Sequence, residues 1–499
     1  MAAKSLMVMG TASDAGKSLV VTGLCRALAR RGVKVAPFKS QNMSNNAAVC
    51  AGGEIGRAQA VQAEACGLAP TLDMNPVLLK PEAERGAQVV IHGRARFRMT
   101  TEAGEFERYR TQAWPAIEQS YERLASAFDV IVIEGAGGAA EINLRHRDLA
   151  NWAVAEMANA PVILVGDIDK GGVFASLVGT ITLLSDAERA RVAGLLINKF
   201  RGDPRLLGDG PAMLHARTGV PLLGIIPYLR LAIPQEDGAA LTTRPFRLLD
   251  SALSAGVIHF PRISNYTDFA PLEEEPDLTL NYYSDPNSTP ALDLIFLPGS
   301  KSTMADLGWL RASGWESYLA RHRARGGWIM GICGGYQMLG RRIVDPVGVE
   351  SAHPEAIGLG LLELETCFEA DKITRAIAGR DRAFDLPIGG YEIHAGRIEG
   401  PGLARPLLTI APLDQATPAS AEGAQSEDGR VMGTTVHGLF DRAAFRRAWL
   451  NRIRRTKGLG PMEAKPGSDA DELRARAYDQ LADTLEQSCE FDRILKLIA

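Results

Sequence analysis

Along the first half of the chain, short apolar runs alternate with longer segments whose apolar residues recur at helical spacing. Leu6–Met9, Val33–Phe38, Val130–Glu134, Pro161–Gly166 and Val192–Asn198 are runs of strand length. Such runs, separated by helical stretches, predict βαβ units around a buried parallel sheet. The pattern loosens over residues 233–247 (IPQEDGAALTTRPFR), which reads as a connection between domains. A second alternation follows, with strands expected at Ala255–His259, Asp293–Leu297, Trp328–Ile332 and near Val431–Val436. Residues 411–430 are polar and rich in small side chains and predict an exposed loop. From Ser468 to Ala499, the residues Leu473, Tyr478, Leu481 and Leu485 fall at helical spacing and predict a packing helix. The expected fold class is α/β in two domains, residues 1–240 and 252–447, with a helical tail over 448–499.

Composition narrows this without changing it. The 499 residues are 46% apolar and 23% charged, as in ordinary soluble enzymes. A formal charge of −4, with no basic block, argues against a nucleic-acid partner. There is no run of about 18 apolar residues, so no membrane span is expected. The apolar stretch near the first methionine is too short for a signal segment and runs into a glycine loop. The cysteines at 25, 50, 66, 333, 367 and 489 form no CxxC pair and suggest neither a zinc site nor a disulfide framework. Free thiols fit the cytoplasm.

Two stretches carry chemistry. Strand Leu6–Met9 leads into Gly10-Thr-Ala-Ser-Asp14-Ala-Gly16-Lys17-Ser18 and then a helix-like segment. Glycines let backbone N–H groups converge on phosphate oxygens, and the helix N-terminus adds a positive dipole end. Lys17 can reach β and γ phosphates, and the Ser18 hydroxyl can ligate Mg2+. The loop is one residue longer than the usual G-x4-GK[ST]. Glu134 ends an apolar strand, where open α/β sheets place ligands, and can hold Mg2+ opposite Ser18. Asn198 ends another strand and is a candidate reader of an adenine edge. Asp167-Ile-Asp169-Lys170-Gly171-Gly172 falls on the same rim, as turn chemistry or as a substrate or metal site.

In the second half, Gly331-Ile332-Cys333-Gly334-Gly335 lies between a strand-like and a helix-like stretch. This is a glycine-flanked nucleophile elbow with cysteine in place of serine. His437, after a short apolar strand, can serve Cys333 as base and acid if the fold joins them. A backbone N–H of the Pro298-Gly299-Ser300 turn, with that of Gly334, can form an oxyanion hole. The polar stretch Tyr391-Glu392-Ile393-His394 has no role that spacing decides.

Together, GICGGYQMLG, LPGS and VHGLF resemble a class I glutamine amidotransferase domain. GTASDAGKS and IEGAGG resemble dethiobiotin synthetase-like ATPases. With QNMSNNA, MNPVLLKP, VGDIDKGGVFA, INKFRGD and PRISNYTDFAPL, nearly the whole chain resembles the cobyric acid synthase family of cobalamin biosynthesis. The resemblance implies ATP- and glutamine-dependent amidation of the b, d, e and g carboxylates of adenosylcobyrinic acid a,c-diamide, giving adenosylcobyric acid. It implies Cys333 as nucleophile, His437 as base, and Gly299, Gly334 and Gln337 at the oxyanion and glutamine site. It places Gly10, Asp14, Gly16, Lys17, Ser18 and Asn198 at ATP, and Ser18 and Glu134 at Mg2+. In most such domains a glutamate two residues after the histidine orients it, but here that residue is Leu439, as elsewhere in this family. Another carboxylate or a carbonyl is expected to fill in, with Glu392 one candidate. A sheltered route for ammonia between the halves is also expected. Rival readings are a cobyrinic acid a,c-diamide synthase, a CTP synthase, or a P-loop switch ATPase with an inactive amidotransferase-like domain. Monomer and homo-oligomer are not distinguished.

Overall fold

The computed structural model describes residues 3–81, 86–100, 102, 104–234, 246–248, 250–351, 353–414 and 417–499. Most of the expected connection at 233–247 lies outside these residues. The chain divides into two compact units. One holds residues 1–44, 50–234 and 474–499, and the other 45–49 and 235–473.

The first unit is built on six parallel strands: β1 (Lys4–Gly10), β2 (Val35–Phe38), β3 (Val130–Glu134), β4 (Val162–Asp167), β5 (Val192–Phe200) and β6 (Leu222–Pro227). Their order is β6-β5-β4-β1-β3-β2. Ile131, Val132, Ile133, Ile163 and Ile197 are fully buried. Burying each such side chain contributes about 1.5–3 kcal/mol, which is why these runs are apolar throughout instead of alternating. Strand order reverses about β1, whose neighbours are β3 and β4. The loops after β1, β3 and β4 therefore meet at one edge, where such sheets bind ligands. Helices α1 (Lys17–Arg30) and α2 (Arg57–Ala65) follow β1 and β2. A smaller sheet of Gln41–Met43, Val77–Pro81, Gly86–Ile91 and Arg94–Thr100 is inserted between β2 and β3.

The second unit repeats the logic. Strands β7 (Leu253–Ile258), β8 (Leu278–Tyr283), β9 (Leu294–Leu297), β10 (Trp328–Ile332), β11 (Ala424–Gln425) and β12 (Val431–Thr434) run in the order β8-β7-β9-β10-β12-β11. All neighbours are parallel except β11 and β12. Helix α3 (Thr303–Ala312) follows β9, and α4 (Gly334–Leu339) follows β10. A long antiparallel hairpin, Glu365–Asp381 with Pro387–Glu399, forms a second sheet with Val436–His437 and Leu408–Pro412.

Within 411–430, the expected loop instead contains strands Ser420–Glu422 and β11. Short strands of Ser, Ala, Glu and Gln carry little apolar signal, and pairing to Leu408–Pro412 and β12 orders them. The packing helix is present as α6 (Ala470–Ser488), after α5 (Ala443–Thr456) and before α7 (Phe491–Lys496). Leu485, Phe491 and Ile494 join Val20, Leu24 and Leu28 of α1 in one core. A Cβ on Gly23 would lie 2.4 Å from Leu485 Cδ1, so the glycine permits this close approach. No helix among the described residues is long and apolar enough to cross a membrane.

Candidate active site

The phosphate loop joins β1 to α1. Gly16 has φ +96°, and a Cβ there would sit 2.0 Å from Asn198 Nδ2. Backbone conformation and space both demand glycine. Asn198 is buried and donates from Nδ2 to Ala15 O at 2.9 Å, so its contribution here is to the loop's shape. Gly10 closes the loop's other side, its carbonyl accepting from Ala139 N at 2.8 Å. Lys17 is buried, and its ammonium is held on three carbonyls: Ala12 at 3.0 Å, Ser13 at 2.9 Å and Gly137 at 2.9 Å. A phosphate offers it charged acceptors in place of neutral ones.

Glu134 stands at the end of β3, 1% exposed. Its Oε1 accepts from Ser18 Oγ at 2.8 Å and from Lys39 Nζ at 2.8 Å, while Oε2 accepts from Gln62 Nε2. Burial alone would raise this carboxyl's pKa; the Lys39 charge and the donors Lys39, Gln62 and Ser18 outweigh it and hold the group below its usual range. Spacing brings out Ser18 and Glu134 but neither Lys39 nor Gln62, which reach Glu134 from the end of β2 and from α2.

The Ser18 hydroxyl and the Glu134 carboxylate are hard oxygen donors that fit Mg2+. No group of three or more His, Cys, Asp or Glu side chains among the described residues could hold a metal. Mg2+ commonly takes one or two protein oxygens and fills its shell with water and phosphate.

Asp14 is half exposed and accepts from Lys170 Nζ at 3.2 Å. On the same rim Asp167 pairs with Lys199 at 2.8 Å and Asp169 with Arg201 at 2.5 Å. Both acids of that turn are thus occupied by cations.

Cys333 sits at the tip between β10 and α4 with φ +50° and ψ −110°. A non-glycine residue there is strained. The packing enforces it, since a Cβ on Gly335 would lie 2.0 Å from Leu297 O and one on Gly331 2.7 Å from Tyr336 N. Sγ donates to Ile393 O at 3.6 Å.

His437 is fully buried. Its Nδ1 lies 2.7 Å from Asp268 Oδ2, and Asp268 Oδ1 accepts from Gly438 N at 2.9 Å. Nε2 is 3.3 Å from Asn265 Nδ2, and the Tyr391 ring stacks on the imidazole at 5.2 Å. Burial works against its charge, but Asp268 first and the neighbouring Cys333 outweigh it and push it up to about 10. Cys333, His437 and Asp268 are thus brought together as a thiol, an imidazole and a carboxylate in series.

Asp268 corrects one expectation. Glu392 does not face His437: it accepts from Arg375 Nε at 2.6 Å and Thr435 Oγ1 at 2.9 Å. Tyr391 and Glu392 are neighbours on one strand and point to opposite faces, so with Tyr391 on His437, Glu392 must point away. Leu439 is packed in the apolar core. Asp268 lies in the PRISNYTDFAPL stretch; its signal was its place just beyond the C-terminal edge of β7.

The Gly299–Ser300 turn approaches Gly334: a Cβ on Gly334 would be 3.0 Å from Ser300 N. The turn is pinned from behind. Ser300 Oγ donates to Asp306 Oδ2 at 2.6 Å, and Asp306 pairs with Arg262 at 3.2 Å. Burial pushes Asp306 up to about 6 against these donors. Gln337 is buried one turn past Cys333, its Nε2 donating to Ala395 O at 3.0 Å.

Comparison with known proteins agrees with both halves. The model of the CobQ/CobB/MinD/ParA nucleotide binding domain matches residues 6–237, and that of the CobB/CobQ-like glutamine amidotransferase domain matches 254–445. Among solved structures, PurLQS from Thermotoga maritima is 18% identical, over 46% of this chain and 99% of its own, at a TM-score of 0.30. The signal recognition particle receptor FtsY from Elizabethkingia anophelis, in complex with GDP, is 16% identical, over 48% of this chain and 61% of its own, at 0.28. A cobyric acid synthase of Sorangium cellulosum (strain So ce56) is 48% identical over 522 residues, spanning 100% of this chain and 99% of that protein. With that identity sustained over its full length, the chain belongs to the cobyric acid synthase family.

Proposed function

We propose that this chain uses ATP and glutamine to convert the b, d, e and g carboxylates of adenosylcobyrinic acid a,c-diamide into carboxamides, in the cytoplasm. The observation that carries the reading is a complete Cys333–His437–Asp268 constellation in the same chain as a phosphate loop with Lys17, Ser18 and Glu134.

Oxide is a poor leaving group, so a carboxylate must be activated before ammonia can displace it. Transfer of the γ-phosphoryl group of ATP to the substrate carboxylate gives an acyl phosphate and ADP. Lys17 leaves its three carbonyls to neutralise the phosphate oxygens as charge shifts to the leaving group. Ser18 and Glu134 would hold Mg2+, which when bound shields the phosphates. Asn198 and the loop glycines keep the backbone N–H groups converged on them.

In the glutaminase unit, Cys333 Sγ attacks the glutamine amide carbon. Backbone donors of the Gly299–Ser300 turn and Gly334 face the developing oxyanion. The His437 imidazolium protonates the departing ammonia, and water drawn by the neutral imidazole then cleaves the thioester to glutamate. Ammonia attacks the acyl phosphate, forming the amide and expelling phosphate.

The test is incubation with Mg·ATP, glutamine and adenosylcobyrinic acid a,c-diamide, with amides counted by mass spectrometry. Four added amides are expected. Cys333→Ser should abolish amidation with glutamine and retain it with concentrated ammonium salt; loss of both contradicts the division of labour.

A further inference from the structure

A side-chain amide faces the ring nitrogen of His437 that Asp268 does not. Asn265 Nδ2 lies 3.3 Å from His437 Nε2. Its other contact fixes which end of the amide points there. Ala47 N lies 3.1 Å from Asn265 Oδ1, and a backbone N–H only donates. The amide oxygen is therefore taken, and the NH2 end is turned on the imidazole. Ala47 and Asn265 are both buried. Ala47 closes the QNMSNNA stretch and belongs, with residues 45–49, to the second unit.

The backbone of Asn265 is held as well. Its φ of +49° and ψ of +36° lie in the left-handed region, which asparagine enters more readily than most side chains. Ser264 before it pairs with Gly299, and its own carbonyl accepts from Asp268 N at 3.1 Å. One short turn thus addresses both ring nitrogens, Asp268 at Nδ1 and Asn265 at Nε2. The two pull in opposite directions. Ionisable groups face the ring from three elements: Asp268 from the turn Tyr266–Phe269, Cys333 from the elbow, and Tyr391 from the strand Pro387–Glu399. Asp268 and Cys333 favour a second proton on the ring. On Nε2 that proton would meet an N–H of Asn265, whereas the neutral ring offers a lone pair there. The amide cannot turn over while Ala47 holds its oxygen.

We propose that Asn265, oriented by Ala47, is a positioning residue that keeps the second proton of His437 easy to give up, and so sets the rate of thioester hydrolysis. The inference rests on the glutaminase reading above. In the first half-reaction a C–S bond replaces the C–N bond of the glutamine amide, and the Nε2 proton leaves with the ammonia. In the second, the neutral ring takes a proton from water as the water oxygen attacks the thioester and Cys333 Sγ departs as thiolate. A ring that binds protons too tightly is refilled from solvent before it can draw that water. Acylated Cys333 then adds no charge, so Asp268 and Asn265 decide the balance between them. At 3.3 Å the amide contact is long enough to yield the lone pair to water.

The experiment follows glutamate release by the full-length enzyme with Mg·ATP and the corrinoid present. Asn265→Asp changes one atom group, tolerates the same backbone, still accepts from Ala47 N–H, and puts an acceptor where the donor stood. Its kcat at neutral pH should fall about 10-fold or more, because the ring stays protonated. Its kcat/KM, which reports steps up to ammonia release, should stay within about 3-fold of wild type. The acidic limb of kcat should move to higher pH by about 1–3 units. Glutamyl thioester on Cys333, trapped by acid quench and read by mass spectrometry, should accumulate. Asn265→Gly, which keeps the backbone and deletes the amide, should shift each quantity the same way by less. Equal falls in kcat and kcat/KM without thioester, or no change in either, overturn the proposal and leave Asn265 with a packing role. A wild type that releases no glutamate overturns the glutaminase reading itself.

Discussion

Lys17 and Cys333 occupy equivalent places. Each lies between a central parallel strand and a helix, at the edge where strand order brings other loops alongside. Their surroundings differ. Lys17 is held on three backbone carbonyls, and the nearby Glu134 is closed by Ser18, Lys39 and Gln62. Every charge at the phosphate loop is satisfied from inside the protein, so a nucleotide must replace those partners. At the elbow, Asp268 already holds His437 Nδ1 at 2.7 Å and His437 already meets Cys333. One site is closed on itself until its ligand arrives, while the other is assembled in advance. The contrast matches the chemistry: phosphoryl transfer asks for charges that move onto the ligand, and acyl transfer asks for charges fixed before it binds.

The largest expected effect tests preorganisation at the elbow. Asp268→Asn removes the charge that holds the His437 proton and leaves the imidazole free to take the wrong tautomer. Glutamine-dependent turnover should fall about 10³-fold or more, as such changes do in related triads. The pH profile should move as well. His437 is raised to about 10 from about 6.5. Its charged form therefore stabilises the fold fully below about pH 6.5, and that contribution is lost as pH rises through 10. In Asp268→Asn the alkaline limb of glutaminase activity should shift to lower pH by more than one unit. An unshifted limb would mean that Asp268 does not set the imidazole's charge.

The closed state of the phosphate loop is tested next. Lys39→Met leaves Glu134 buried with its main cation gone. Breaking such a pair costs about 3–5 kcal/mol, read by denaturant unfolding without nucleotide. Mg·ADP should restore more stability to this variant than it adds to wild type, because the cation then replaces the lost lysine. Equal gains in both would show that Lys39 is not what closes the site.

These sites were unequally legible in the sequence. Strands β1, β3, β4, β5, β9 and β10 announced themselves as unbroken apolar runs because both faces of each parallel sheet are covered. Gly16 and Gly335 were readable because backbone geometry leaves no other residue room. Asp268 was hidden because an orienting acid needs no fixed spacing from its histidine, only the same sheet edge. Lys39 and Gln62 were hidden likewise, converging on Glu134 from β2 and α2. The Glu365–Glu399 hairpin was not expected. Its strands are partly exposed and interleave polar, charged and small residues with few apolar ones, a weaker signal than an apolar run.

The smallest expected effect concerns how the elbow's support is set without any ligand. Thr435 Oγ1 lies 2.9 Å from Glu392 Oε1 and 2.9 Å from Glu422 Oε1, and its single hydrogen serves only one. The other contact needs a proton on an acid. Burial works against the charge of Glu392, but His394, 3.5 Å away, and the Arg375 hydrogen bond outweigh it and hold that group at about 2. Burial foremost, and the charge of Glu392 besides, raise Glu422. Of the two acids, Glu422 is therefore the one shifted toward its protonated form, which would donate to Thr435 while Thr435 donates to Glu392. Thr434, beside it, accepts Cys333 N–H on its carbonyl at 2.8 Å, so the Glu422–Thr435 contact supports the strand that backs Cys333. Glutamine closely mimics a protonated glutamate, so Glu422→Gln should cost under about 1 kcal/mol at neutral pH. A carboxyl raised in the folded state keeps its proton longer than the unfolded chain does, so wild-type stability declines as pH rises toward that folded value. Glu422→Gln lacks this decline and should equal or exceed wild type in alkaline denaturant titrations. A variant that loses several kcal/mol at pH 7 would instead place the charge on Glu422 and the proton on its neighbour.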